Sequence, residues 1–199
     1  MRQRALLDLL EATPFARSKF TTRILAGEAL SALGLAMRSK YPRYLGTQYI
    51  PDDKERLFPI PHADFTALSF LSNSFDVVIT LEVLEHISDL GAAMCEMARV
   101  LASDGIMLAT FPFAFNSQHT LKKAVMDRGK IKHLVETPEY HGDIVSTEGV
   151  LVFQIPGWEI VDLAKASGFR DAYFVFYHTV IGGIIGYDVI GQFVFVACK

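Results

Sequence analysis

FDVVITLEVLEHISDLGAAMCEMARVLASDGIMLATFPF, from Phe75 to Phe113, reads as a strand, an acidic corner, a helix, a tight turn and a second strand. Phe75 to Thr80 is a short, β-branched apolar run, the pattern of a strand buried on both faces. Glu82 and the pair Glu85-His86 put charge at its carboxyl end, where open α/β sheets form their ligand crevice. From Asp89 onward Leu90, Met94, Met97 and Leu101 recur at helical spacing, and Asp104-Gly105 is expected to end that helix before IMLATF. One strand–helix–strand unit with acid and imidazole at its rim suggests a nucleotide-type cofactor.

Working outward, strands and helices alternate. Arg4 to Glu11 is expected to be a short amphipathic helix ending near Pro14. Thr21 to Ala26 reads as a first strand and Glu28 to Lys40 as a helix burying Leu30, Leu33 and Met37. Tyr44 to Tyr49 reads as a second strand, followed by the loop PDDKERLFPIPH. Leu121 to His133 is expected to be helical, as is Trp158 to Ser167 with Gly168 as its stop. Ala172 to His178 and Gln192 to Cys198 read as strands joined closely enough to be antiparallel. Tyr44–Tyr49, Phe75–Thr80 and Ile106–Thr110 are expected to be neighbours in a parallel sheet.

The Phe75–Phe113 passage resembles the class I S-adenosylmethionine-dependent methyltransferases. Their fourth strand, acidic loop, helix and fifth strand often run FDxVxxxxVLEHxxD…ARVLxxxGxxxxxxP. The resemblance covers roughly residues 20 to 199 and is densest from Asp64 to Pro112. It implies an α/β fold: a Rossmann-like, mostly parallel sheet flanked by helices, ending in an antiparallel strand pair. It also implies one domain over 1–199, with an N-terminal helix in 1–20 and an acceptor-site insertion over 114–157. The activity implied is S-adenosylmethionine-dependent methyl transfer to a small-molecule acceptor.

Composition agrees with a globular, unspecialised surface. The 199 residues are 51% hydrophobic with 15 Phe, enough for a sizeable core and too apolar for a disordered chain. A net charge of −3 gives no basic footprint for nucleic acid. Cys95 and Cys198 form no metal or redox motif; Cys95 is expected to be a core thiol, and a reducing cytoplasm fits. The charged N-terminus is unlike a signal peptide, and no apolar run is long enough to span a bilayer. The N-terminal helix starts abruptly at Met1, as in a shorter family member or a truncated start; either would leave apolar surface, so a homodimer covering it is an expectation too.

Each candidate residue carries a plain alternative. Gln48 and Tyr49 close the second strand, where the family usually has an acid for the ribose hydroxyls. Gln48 can accept through its amide oxygen, and Tyr49 either lies beside the adenine or simply packs. By the resemblance, Asp64 bonds the adenine amino group and Phe65 offers its backbone N–H; a turn or cap role is the alternative for Asp64. The family's first loop is glycine-rich with an acid before it. Here RILAGEALSALG keeps Gly27, has Leu25 at the acid position, and offers Glu28 as a shifted substitute. Glu28 is read more readily as an acid in the first helical turn.

Glu82 is assigned to the cofactor wall; His86 is a candidate general base on the acceptor, with holding the loop against the cofactor as its open alternative. Glu85 is assigned to substrate binding, with a loop-bracing role as its alternative. His141 and Asp143 are expected to orient the acceptor or supply a base. His119, His133 and His141 are irregularly spaced, so no metal site is inferred from them. The competing class is a non-catalytic binding or scaffolding protein on the same fold, which the poor glycine loop would suit. A nicotinamide-dependent oxidoreductase is disfavoured because GxGxxG is absent, and a nucleic-acid methyltransferase because no basic patch is visible.

Overall fold

A computed structural model describes residues 1–50, 60–142, 148–178 and 191–199. In chain order the elements begin with α1 (Arg2–Ala12), β1 (Ile24–Ala26), α2 (Ala32–Lys40) and β2 (Tyr44–Gly46). Next come β3 (Phe75–Leu81), a single 3-10 turn at Leu84–His86, α3 (Leu90–Val100) and β4 (Leu101–Thr110). Six short strands follow: β5 (Leu121–Lys122), β6 (Ala124–Asp127), β7 (Lys130–His133), β8 (Tyr140–His141), β9 (Val150–Leu151) and β10 (Gln154–Ile155). The chain closes with α4 (Ile160–Ala166), β11 (Asp171–Tyr177) and β12 (Gln192–Cys198).

The main sheet runs β11-β12-β4-β3-β1-β2. β2, β1, β3 and β4 are mutually parallel, and β12 is antiparallel to both β4 and β11. This is the mostly parallel sheet with an antiparallel terminal pair that the sequence implies. β3 alternates in the expected way. Val77, Ile79 and Leu81 join Leu6, Leu10, Leu33 and Met37 under α1 and α2, whereas Val78 joins Met94, Met97 and Ile160 under α3 and α4. Burial on both faces is what makes the strand read as a continuous apolar run.

β2 is not beside β3, contrary to the sequence expectation, because β1 lies between them. The crossover through α2 carries β2 outward, and the chain then returns to the other side of β1. That reversal makes a switch point between β1 and β3, the place where such sheets bind ligands.

Four further expectations are corrected. α2 begins at Ala32, with Ser31 Oγ accepting from Gly34 N–H at 3.1 Å, so Glu28 lies in the loop before the helix and Leu30 is exposed. A Cβ at Gly34 would stand 2.4 Å from the Glu28 carbonyl oxygen, which explains a glycine inside that helix. α3 ends at Val100, and Asp104-Gly105 instead forms a bulge within β4, where the register jumps from Phe75↔Leu101 to Val77↔Ile106. Cys95 is exposed, since α3 turns Leu90, Ala93, Met94, Met97 and Ala98 inward. Leu121–His133 is not helical: β6 and β7 form a hairpin whose turn residues Arg128 and Gly129 both have positive φ (50° and 77°). An Arg-Gly pair between alternating segments is a two-residue hairpin signal that outweighs the apolar spacing.

Side chains of the decisive stretch anchor the frame. Asp76 receives the Arg23 backbone N–H at 2.8 Å and Arg23 Nη2 at 2.6 Å, tying the entry of β1 to that of β3. Arg99 donates to the carbonyls of Leu68 and Phe70, each at 2.8 Å, and pairs with Glu96, fastening α3 to the segment before β3. No helix among the described residues is long and apolar enough to cross a membrane.

Candidate functional site

A cleft of about 1580 Å³ opens at the carboxyl ends of β1, β2 and β3. Gly27, Glu28, Gln48, Tyr49, Asp64, Phe65, Glu82 and His86 all line it. Eight of the residues singled out in the sequence therefore share one cavity. Glu85 and His141 stand behind its wall, and Asp143 lies outside the described residues.

The strand ends hold these groups in different ways. The Gly27 N–H donates to Ile79 O at 3.1 Å, extending β1 onto β3, and a Cβ here would stand 3.2 Å from the Phe65 ring. The Glu28 carboxyl is pushed up by burial, against a hydrogen bond from Ser31 that lowers it. Its backbone carbonyl accepts from Tyr44 Oη at 2.6 Å. Gln48 is half-buried and its backbone bridges in parallel to His62, prolonging the sheet edge beyond β2. Tyr49 is 56% exposed, with its ring 5.5 Å from that of His62.

Asp64 serves a turn whatever else it does. Its Oδ1 accepts both the Thr66 N–H at 2.8 Å and Thr66 Oγ1 at 2.7 Å. Phe65 is buried beneath Gly27 and Val83. Glu82 sits at φ 51°, in the left-handed region, and its N–H donates to Thr110 O at 2.8 Å. Its carboxylate accepts from Thr110 Oγ1 at 3.0 Å and pairs with Arg2. Sequence reasoning did not select Arg2, nor Met1 and Gln3, which also line the cleft from the start of α1. An amphipathic helix pattern gives no sign of which helix end reaches a site. Met126, Lys130 and Ile131, on the β6–β7 hairpin, line the opposite side.

Beyond His86 the wall hides a compact cluster. Glu85 is 0% exposed, and neither carboxylate oxygen has a hydrogen-bond partner among the described residues. Burial pushes its carboxyl up to about 7. Its Oε1 stands 3.5 Å from His141 Nδ1 and 3.7 Å from His86 Nε2. His86 Nδ1 lies 2.9 Å from the Leu151 carbonyl, which can only accept, so Nδ1 carries the proton there. His141 Nε2 lies 3.0 Å from Glu139 Oε1. Hydrogen bonds from Lys123 first and His141 second hold Glu139 below the ordinary carboxylate range. Glu139 is thus the ionised acceptor for the His141 Nε2 proton. The other ring nitrogens, His86 Nε2 and His141 Nδ1, are the two that lie near Glu85 Oε1.

Residues 21–109 match the family model of a methyltransferase domain, and these residues build β1 to β4 and one side of the cleft. Over that stretch the chain is similar to this family, and its fold is that of the class I S-adenosylmethionine-dependent methyltransferases. Solved structures of this methyltransferase fold superpose over nearly all of it. An amino pentose methyltransferase from Micromonospora echinaspora, solved with S-adenosylmethionine and involved in calicheamicin biosynthesis, is 16% identical with a TM-score of 0.57. The superposition covers 100% of this chain and 92% of that one. A methyltransferase from Mesorhizobium loti is 16% identical with a TM-score of 0.58, covering 96% of this chain and 100% of that one. The 1,6-didemethyltoxoflavin N1-methyltransferase of Burkholderia thailandensis, solved with 1,6-didemethyltoxoflavin and S-adenosylhomocysteine, is 13% identical with a TM-score of 0.54. It is covered over 78% of its length by all of this chain.

Structures of this fold are solved with S-adenosylmethionine or S-adenosylhomocysteine bound, and the cleft here suits such a molecule. At about 1580 Å³ it is large enough to take a nucleoside and an amino-acid tail together, and Gln48, Asp64 and Glu82 line it along with the apolar Phe65 and Val83.

Proposed function

We propose that this protein is an S-adenosylmethionine-dependent methyltransferase that acts on a small-molecule acceptor, an alcohol or amine, held between the strand ends and the β6–β7 hairpin. The observation that carries the reading is that one cleft is lined both by the residues suited to a nucleoside and by His86. Gln48 and Tyr49 would take the ribose and adenine side, and Asp64 with the Phe65 N–H the adenine edge. Gly27 and Glu28 would flank the amino-acid portion, and Glu82, steadied by Thr110 and Arg2, would form the adjoining wall.

When bound, the cofactor supplies a sulfonium methyl group that leaves by in-line displacement. The protein's part is alignment and exclusion of water. An alcohol or protonated amine must also lose a proton. His86 is the cleft-lining group suited to remove it, with His141 and Glu85 behind it to hold the charge that results. Asp143 belongs to the same reading as an acceptor contact from the segment after β8. The net charge of −3 disfavours nucleic acid, and two free cysteines accord with a cytoplasmic setting.

Calorimetry with S-adenosylmethionine and S-adenosylhomocysteine is the first test, followed by a screen of small hydroxylated and amine compounds. Binding of both cofactor forms with turnover of one such compound is expected. No binding of either would leave the scaffolding alternative in place.

A further inference from the structure

We propose that Glu85, His86 and His141 bind one divalent transition-metal ion of the zinc type. The three donor atoms come from two elements far apart in sequence, the turn after β3 and strand β8, and lie within 4.8 Å of one another. Two imidazoles and one carboxylate are a donor set that zinc and its neighbours favour over magnesium or calcium. For ligands at about 2.0–2.1 Å around a tetrahedral ion, donors stand about 3.4 Å apart. The Glu85 oxygen lies 3.5 Å and 3.7 Å from the two imidazole nitrogens, so small side-chain rotations close the site.

Two further observations point the same way. Metal-bound histidines commonly give their second ring N–H to a carbonyl or carboxylate, which fixes the tautomer. Here Leu151 O at 2.9 Å does this for His86 and Glu139 at 3.0 Å for His141. Each histidine thus has its other ring nitrogen within 3.7 Å of Glu85 Oε1. Separately, Glu85 is fully buried with two carboxylate oxygens that lack hydrogen bonds among the described residues, a costly arrangement that a cation would relieve. His141 is 31% exposed on its side chain, so an ion can enter from that side. Bound there, it would clip β8 to the turn that carries His86.

This ligand set replaces the sequence expectation of no metal, which considered only His119, His133 and His141. His119 and His133 take no part. Metal binding does not rest on the acceptor reading, because ligation requires only these side chains. Occupancy would, however, commit both imidazoles to the ion and exclude His86 as a free base.

The test uses the whole chain, stripped with chelator and titrated with zinc(II) by calorimetry, with cobalt(II) as a spectroscopic probe. The expected result is one tight equivalent and the visible absorption of a low-coordinate cobalt centre. Glu85→Gln and His141→Ala should each weaken zinc binding at least 100-fold, judged on folded protein by circular dichroism. Should either fail to fold, Glu139→Gln, which removes only the outer partner, should weaken it roughly 10- to 100-fold. His133→Ala should change nothing. Undiminished zinc affinity in Glu139→Gln or His141→Ala, or equal loss in His133→Ala, would overturn the site.

Discussion

Asp64→Asn separates two jobs that one carboxylate can do at the adenine edge. In the structure Oδ1 is used locally, accepting from the Thr66 N–H at 2.8 Å and Thr66 Oγ1 at 2.7 Å. The asparagine amide oxygen preserves both contacts, so the turn should survive with stability near that of the parent. What changes is the second oxygen, replaced by an NH₂ group that presents a donor to a ligand amino group. One lost hydrogen bond is worth about 0.5–1.5 kcal/mol, and an unpaired buried donor adds about 1–3 kcal/mol. Affinity for S-adenosylhomocysteine should therefore fall about tenfold or more, since about 1.4 kcal/mol is a factor of ten. Asp64→Ala should lose the same affinity and also both turn bonds, about 2 kcal/mol of stability at about 1 kcal/mol each. Calorimetry with S-adenosylhomocysteine and urea unfolding measure the two effects separately. An unchanged dissociation constant in Asp64→Asn would refute the cofactor contact and leave Asp64 as a turn residue.

Three other outcomes are expected. Burial alone would raise the Asp76 carboxyl, but hydrogen bonds from Arg23 overcome it and hold the group below its ordinary 3.8; its stabilising contribution is present above that value and fades as pH falls through the folded one. Asp76→Asn should therefore cost about 2 kcal/mol in urea unfolding at pH 7, with the gap to wild type closing as the carboxyl protonates in acid, whereas a pH-independent gap would contradict the ion pair. Arg99→Met keeps much of the aliphatic stem and removes the donors to Leu68 and Phe70, so stability should drop by about 2 kcal/mol; a loss under 0.5 kcal/mol would show those contacts to be incidental. In chelator-treated enzyme, His86→Ala should lower turnover of an identified acceptor roughly 100-fold with S-adenosylhomocysteine affinity nearly unchanged. Parallel loss of both would mean that His86 only braces the wall.

The parallel core was legible because its signals are local. The β-branched run of β3 and the helical spacing of α3 need no distant partner to be recognised. Strand order needed more. Nothing within Tyr44–Gly46 or Phe75–Leu81 says that β1 will stand between them; that follows from crossover geometry across the whole sheet. The bulge at Asp104-Gly105 was misjudged for a related reason. A turn-forming pair after a helix reads as its stop, although here α3 had already ended at Val100. Between Leu121 and Ile155 the short strands pair mainly with one another. Apolar spacing alone could not separate a helix from hairpins there, whereas Arg128-Gly129 could have.

The site divides along the same line. Gly27, Gln48, Asp64 and Glu82 follow strand ends, so a correct sheet brings them together. The environment of Glu85 depends on residues some 65 positions later. Phe153 N–H donates to Glu85 O at 2.8 Å, Leu151 O accepts from His86, and Gln154 Nε2 donates to Ile87 O at 2.7 Å. The Val150–Gln154 segment thus seals the turn after β3, and this closure joins the segment's own strand partner, His141, to Glu85. Glu85-His86 seen in isolation is an acid and an imidazole at a solvated corner. Under that cover the acid is desolvated, the imidazole tautomer is fixed, and a second imidazole arrives. The chemistry at the cleft wall is therefore set by β8 and the Val150–Gln154 segment as much as by the strand end that carries the pair.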